Sequence, residues 1–331
     1  MSFNRSIVLS LALGLTVTSL VGCSKTESAT AKETTTASKA QATQQSDAEK
    51  QILAENTQPI DVQKNPAAIA KIPAQYKFVN DGYLTVAVIA QNSPPLSALA
   101  ADNKTYIGTE VDTARLVADS LGLKLKLVPT SWEDWPLGVS SGKYDAALIN
   151  ITVTKERKEK FDFATYRHDV LGFFSAKKSS VQKIEKADDV AGLNVIVGAG
   201  TNQEKILLDW IEQNKKKGLK PAKPVYLQDN AAAVLALQSG RADVLLTPNS
   251  TGAWQIKNGA ALKRVGSLAG GWPKTADIAV TLKKGTGLVD AVNVALNGVI
   301  QDGSLAKVLS RWGVQDEAVS HSEINPQGLG D

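Results

Sequence analysis

A chain of 331 residues with 37 basic and 33 acidic side chains is close to charge balance, with a formal excess of +4. Its charges are interspersed rather than gathered into a stripe, which argues against a nucleic-acid binder. One cysteine leaves no intrachain disulfide, so the core must hold without cross-links.

The first element is a leader. Arg5 precedes an apolar run from Ile7 to Val21, shorter than the roughly 20 residues that span a bilayer and suited to the apolar region of a secretory signal peptide. The residues Leu20-Val21-Gly22-Cys23 resemble the lipobox of bacterial lipoproteins, in which the leader is cut before the cysteine and the thiol is thioether-linked to diacylglycerol. An ordinary leader with a chance cysteine is the alternative; the flanks and the lack of any other cysteine favour lipidation. Residues 1–22 are then the signal peptide and Cys23 is an anchor. Several acyl chains, at about 0.8 kcal/mol per buried methylene, hold a protein on a membrane where one chain does so only marginally. Residues 23–58 carry almost no large apolar side chain before Ile52, cannot offset the entropy of ordering, and are expected to form a flexible tether.

From Gly82 the pattern alternates between strands and helices. "YLTVAVI" is a β-rich run stopped by Asn92-Ser93-Pro94-Pro95. In "GTEVDTARLVADSLG", Val111, Ala114, Val117, Ala118 and Leu121 fall on one helical face. "LKLKLVP" alternates as a strand, Trp135-Pro136 opens the next helix, and "DVLGFFSAKK" reads as a strand. The rhythm restarts with "LNVIVGAG", "NQEKILLDWIEQN", "PVYLQD", "NAAAVLALQSGRAD" and "VLLT", and closes with the strand "TADIAVTLKKG" and the helices "GLVDAVNVALNGVIQDG" and "SLAKVLSRWG". The polar segment 315–331 is expected to fray. Periodicity points to an α/β fold, either two lobes or one doubly wound domain.

The runs "VDTARLVADSLGLKLKLVPTSWED", "SGKYDAALINITVTKERKEKFDF", "VAGLNVIVGAGTNQEKIL", "QSGRADVLLT" and "NGVIQDGSLAKVLSRWG" resemble, in order and spacing, the family 3 extracellular solute-binding proteins, the polar amino-acid receptors of ABC importers. The resemblance covers roughly Asp81 to Val314. It implies the two-lobed periplasmic-binding-protein-like fold of type II, with two crossover strands forming a hinge, placed at "LGFFSA" and "DIAVTL". One lobe would comprise 82–171 with 282–314, and the other 172–281.

The resemblance also implies a site. Thr154 can cap a short helix beginning at Lys155, and a guanidinium offers a planar fork matched to a carboxylate; the family's ligand arginine falls on Arg157. Its neighbouring hydroxyl position falls on Thr152, and Asn150 stands where the family often has Ser or Gly. The stacking aromatic falls on Trp132, while Trp135 beside Pro136 reads as packing. Thr201 and Asn202 match the ligand-contacting pair of the second lobe, where a Gly-rich turn opens a helix and its N–H groups favour an anion. Two departures stand out. Ser93-Pro94-Pro95-Leu96 lacks the family's aromatic, and the acid that normally meets the ligand's ammonium is replaced by Pro248, with only the neutral Asn249 beside it.

The expectation is a monomeric, lipid-anchored receptor outside the cytoplasm. It would pass a small solute, an amino acid or amino-acid-like carboxylate, to an ABC permease in the inner membrane, with no cofactor, metal or nucleic acid. The missing acid favours a carboxylate whose amine is absent or derivatised. An enzyme on the same fold, with His168 beside Asp169 as its acid/base candidate, and a sensor feeding a signalling partner are the alternatives. Cys23→Ala should abolish metabolic labelling by palmitate and leave an unprocessed or freely soluble form; undiminished labelling would remove the anchor.

Overall fold

The computed structural model describes residue 54 and residues 56–331; Cys23, the leader and nearly all of the tether lie outside them. Strand β1 (Tyr83–Ile89) has a fully buried middle. Helix α1 (Thr109–Ser120) buries Val111, Ala114, Val117 and Ala118, as the i, i+3, i+4 spacing requires. Strand β2 (Lys124–Thr130) pairs parallel with β1. Helix α2 (Trp135–Ser141), with Pro136 in its first turn, leads to β3 (Ala146–Ala147), parallel to β1 on its other edge. Next come β4 (Phe161–His168) and β5 (Val170–Ala176), separated by the single residue Asp169.

With β5 the chain enters a different sheet. That sheet is built from β5, β6 (Asn194–Val197), β7 (Lys223–Tyr226), β8 (Val244–Pro248) and β9 (Leu262–Ala269) in the order β9-β5-β8-β6-β7. Its helices are α3 (Asn202–Lys216), α4 (Asn230–Gln238) and α5 (Asn249–Lys257). Residues 270–276 then return the chain to β10 (Asp277–Lys283), which inserts antiparallel between β3 and β4. The first sheet thus runs β2-β1-β3-β10-β4. Helices α6 (Leu288–Gln301) and α7 (Ser304–Arg311) pack on it. The two passes between sheets are Asp169 and 270–276, slightly before the sequence-expected lobe ends, because β5 and β10 are paired from their first residues.

Each sheet has its own core. Val86, Val117, Leu288, Val292 and Trp312 pack together on the first, and Phe173, Val195, Trp210 and Val244 on the second. Two separately buried cores joined by two short passes make a two-lobed molecule. Among the described residues, no helix is long and apolar enough to cross a membrane.

The tail beyond Val314 does not fray, contrary to expectation. It lies along β4, the outer strand of the first sheet, where Glu323 N donates to Thr165 Oγ1 at 2.9 Å and Asn325 N to Phe163 O at 3.0 Å, and it ends on the loop after β3, where Leu329 N donates to Val153 O at 3.2 Å. Most of its residues are polar because the tail covers an open strand edge chiefly through its backbone, while Leu329 near its end is buried with the core of the second sheet. Glu317 is buried and pairs with Arg167 of β4, which also meets Glu110 of α1 at 2.9 Å. Burial opposes the charge of Arg167, but the two carboxylates outweigh it and raise its pKa. Burial likewise pushes Glu317 above the usual carboxylate range, with Arg167 opposing. Removing Glu317 leaves the buried Arg167 with one carboxylate instead of two, a lost charge-assisted bond of about 1.5–3 kcal/mol. Glu317→Ala should lose stability of that order in urea unfolding, and a surface-like loss of a few tenths would show the tail to be ornamental.

Candidate functional site

A cavity of about 130 Å³ lies between the lobes. Ser93 after β1, Trp132 after β2 and Asn150 after β3 reach it from the first lobe, and Thr201 and Asn202 at the start of α3 reach it from the second. These are the carboxyl ends of parallel strands, where open α/β sheets place ligands. Trp132, Thr201 and Asn202 also wall a second cleft of about 730 Å³, together with Trp135 and Arg157. Five of the residues singled out from the sequence therefore share the cavity. Three do not: Arg157 lines only the neighbouring cleft, Thr152 is fully buried behind the wall, and Asn249 lines neither space, its Oδ1 accepting from Arg264 at 3.1 Å. Pro248 does line the cavity.

Thr152 is turned toward a residue that sequence reasoning weighed only as a neighbour of His168. Asp169 is buried, and its Oδ2 accepts from Thr152 Oγ1 at 2.6 Å and from Asn202 Nδ2 at 2.8 Å. It thereby joins a first-lobe loop to a second-lobe helix at the very pass between sheets. Gly270 in the other pass makes room: a Cβ there would sit 1.9 Å from that oxygen. Desolvation raises the pKa of Asp169, while Thr152, Arg167, Asn202 and Arg157 hold it down. His168 is half exposed, meets Asp277 at 2.7 Å and lines neither space.

A 3-10 turn begins at Arg157 (Arg157–Glu159) with Glu156 at its cap position, rather than a helix at Lys155 capped by Thr154; Thr154 Oγ1 still accepts from Arg157 N at 3.1 Å. The Arg157 guanidinium donates to Thr152 O at 2.9 Å and across the lobes to Gly200 O at 3.1 Å. It stands over the rings of Trp132 and Trp135, 5.4 and 5.8 Å from their centroids. Loss of water lowers its pKa to about 10, with Asp169 and Glu156 opposing, so it stays charged at neutral pH. The start of α3 is closed by its own side chains: Gly200 N donates to Glu204 Oε2 at 2.6 Å and Glu204 N to Thr201 Oγ1 at 3.1 Å.

Glu110 forms part of the cavity wall. It accepts from Asn150 N at 3.1 Å, from the Tyr166 hydroxyl and from Arg167, which also donates to Asn150 Oδ1. Asn150 has a left-handed backbone, φ 60°, a conformation that asparagine tolerates better than branched residues. Two side-chain bonds close the rim between lobes, Asn230 Nδ2 to Ser93 Oγ at 3.1 Å and Gln228 Nε2 to Glu133 Oε1 at 3.0 Å.

A family model for bacterial extracellular solute-binding proteins, family 3, matches residues 84–315. The chain is 29% identical over 221 residues to the L-cystine-binding protein TcyJ of Escherichia coli (strain K12), covering 66% of this chain and 78% of that protein. It is 27% identical over 174 residues to a cyclohexadienyl dehydratase of Pseudomonas aeruginosa, covering 52% and 61%. Among solved structures, an ancestral arginine-binding protein bound to arginine matches with a TM-score of 0.61 and 26% identity, over 70% of this chain and 98% of that one.

The raised pKa of Asp169 has a pH signature. A carboxyl near 4 in the unfolded chain and higher in the folded one destabilises as pH rises through that window, and the full cost remains above it. Asp169→Asn, which keeps an oxygen acceptor, should therefore show a smaller fall in melting temperature between pH 4.5 and pH 8 than the wild type. An unchanged pH profile would show that the buried carboxyl does not titrate there.

Proposed function

Because the chain belongs to the family 3 bacterial extracellular solute-binding proteins, we propose that it captures a small polar solute of the amino-acid kind between its lobes and passes it to an ABC permease. In this reading the folded part works outside the cytoplasm, held to the membrane by lipid on Cys23. The observation that carries it is the shared cavity: residues from the strand ends of both sheets face one space, and the chain passes from one sheet to the other at Asp169 and 270–276. A solute touching both walls favours the closed arrangement by its differential contacts, which is how hinge closure works in periplasmic binding proteins. The permease then reads a composite surface that exists only when the lobes are together.

Trp132 reports on this event because it stands between the cavity and the cleft. Native mass spectrometry of the purified protein should reveal a bound small molecule, and adding it back after removal should shift tryptophan emission. Trp132→Phe should lose most of that shift while still binding. If nothing co-purifies and no member of a broad panel of amino acids, amines and related solutes alters emission or melting, the receptor reading fails.

A further inference from the structure

We propose that the solute is an amine lacking an α-carboxylate, bound as an ammonium by acceptors of the inter-lobe cavity; this rests on the solute-binding reading above. Three observations lead there. The first concerns where a carboxylate would go. Thr152 and Asn202, two of the side chains expected to hold one, are both bonded to the protein's own Asp169 Oδ2. The Gly200 N–H at the start of α3 is bonded to Glu204, and Arg157 faces away into the neighbouring cleft with two backbone carbonyls as partners. The internal carboxylates of Asp169 and Glu204 thus occupy donors that an incoming carboxylate would need.

The second observation is the charge of the wall. Among the described residues lining the cavity there is no lysine, arginine or histidine, while Glu110 and Asp229 supply two carboxylates. An anion entering such a space loses its water and gains no opposite charge, whereas an ammonium gains both charge and acceptors. Glu110 is already engaged with Arg167, Tyr166 and Asn150. Asp229 is the more available of the two: its Oδ1 caps α4 through Ala232 N at 2.7 Å, which leaves its second oxygen for a ligand.

The third observation is independent of charge. Gln203 Oε1 and Thr251 Oγ1 belong to lining residues more than nine-tenths buried, and neither atom has a hydrogen-bond partner among the described residues. The amide oxygen can only accept, so a buried Gln203 Oε1 calls for a donor. A buried acceptor left open is costly, and a turn of the Gln203 side chain toward the cavity its residue lines would offer that oxygen to a ligand ammonium. The loss of the family's acid at Pro248 fits the same picture. That acid serves an α-ammonium presented beside a carboxylate, and a solute without the carboxylate need not enter in that orientation. An amine without its carboxylate is the converse of the expectation drawn from sequence, a carboxylate without its amine, and calorimetry separates the two.

The test is calorimetry on ligand-free protein with three matched pairs: L-arginine and agmatine, L-ornithine and putrescine, L-lysine and cadaverine. Members of each pair differ only in the carboxylate. At least one amine should bind, and do so at least about tenfold more tightly than its amino acid. Asp229→Asn keeps the helix cap, since asparagine caps as well as aspartate, and should weaken the amine by at least about tenfold through loss of charge. An amino acid that binds more tightly than its amine overturns the inference and leaves the receptor reading standing. Failure of all three amines overturns it as well, and the co-purification and panel experiment then decides separately whether the protein is a receptor. Amine binding indifferent to Asp229→Asn would remove Asp229 from the site.

Discussion

A carboxylate held without water at the junction of two sheets constrains everything around it. Asp169 occupies the whole of one connection between lobes and is buried there. Its oxygen must be satisfied from within, and the donors at hand come from opposite lobes, Thr152 from one and Asn202 from the other. Burial of this group therefore sets the relation between the loop after β3 and the first turn of α3. Those two segments are also walls of the cavity. The bare Cα of Gly270 is part of the same arrangement, because any side chain there would occupy the carboxylate's place.

A second buried charge supports the other wall. Arg167 places in β4 a buried guanidinium that must be neutralised inside the protein, and Glu110 and Glu317 do so from α1 and the tail. The same guanidinium donates to Asn150, and Glu110 accepts from that residue's N–H. The left-handed backbone of Asn150 is thus held at both its side chain and its amide. The tail, remote in sequence, contributes to the cavity through this chain of contacts without touching it.

Much of the fold was legible because it is written in period. The 3.6-residue spacing of Val111, Ala114, Val117 and Ala118 and the compact apolar runs of β1, β5 and β10 needed no tertiary information. Other elements carried weaker signals. In β9, "LKRVGSLA", the alternation is broken where the register shifts between Arg264 and Gly266. In α5, "NSTGAWQIK", Ser, Thr and Gly dominate the first turns, and they are poor helix formers. The tail was misread because backbone pairing along a strand edge leaves no mark in hydropathy. At the site, Ser93, Trp132, Asn150, Thr201 and Asn202 were found through motif position. Asp169 was not, since its meaning arises only when the topology brings Thr152, Asn202 and Gly270 to it. Gln203 and Thr251 were equally silent, being ordinary polar residues until their surroundings leave them without partners.

The rim bonds of Ser93 with Asn230 and Glu133 with Gln228 also bear on speed. Each is worth about 0.5–1.5 kcal/mol net, and both lie across the mouth of the cavity. If their sum is the free energy of parting the lips, an empty molecule is open on the order of a tenth of the time or less. Association then runs at the encounter rate multiplied by that fraction, and the apparent affinity is reduced by the same factor. Of the four residues only Glu133 does not line the cavity, so its substitution is the means of altering residence and arrival times with least effect on which solute the interior prefers.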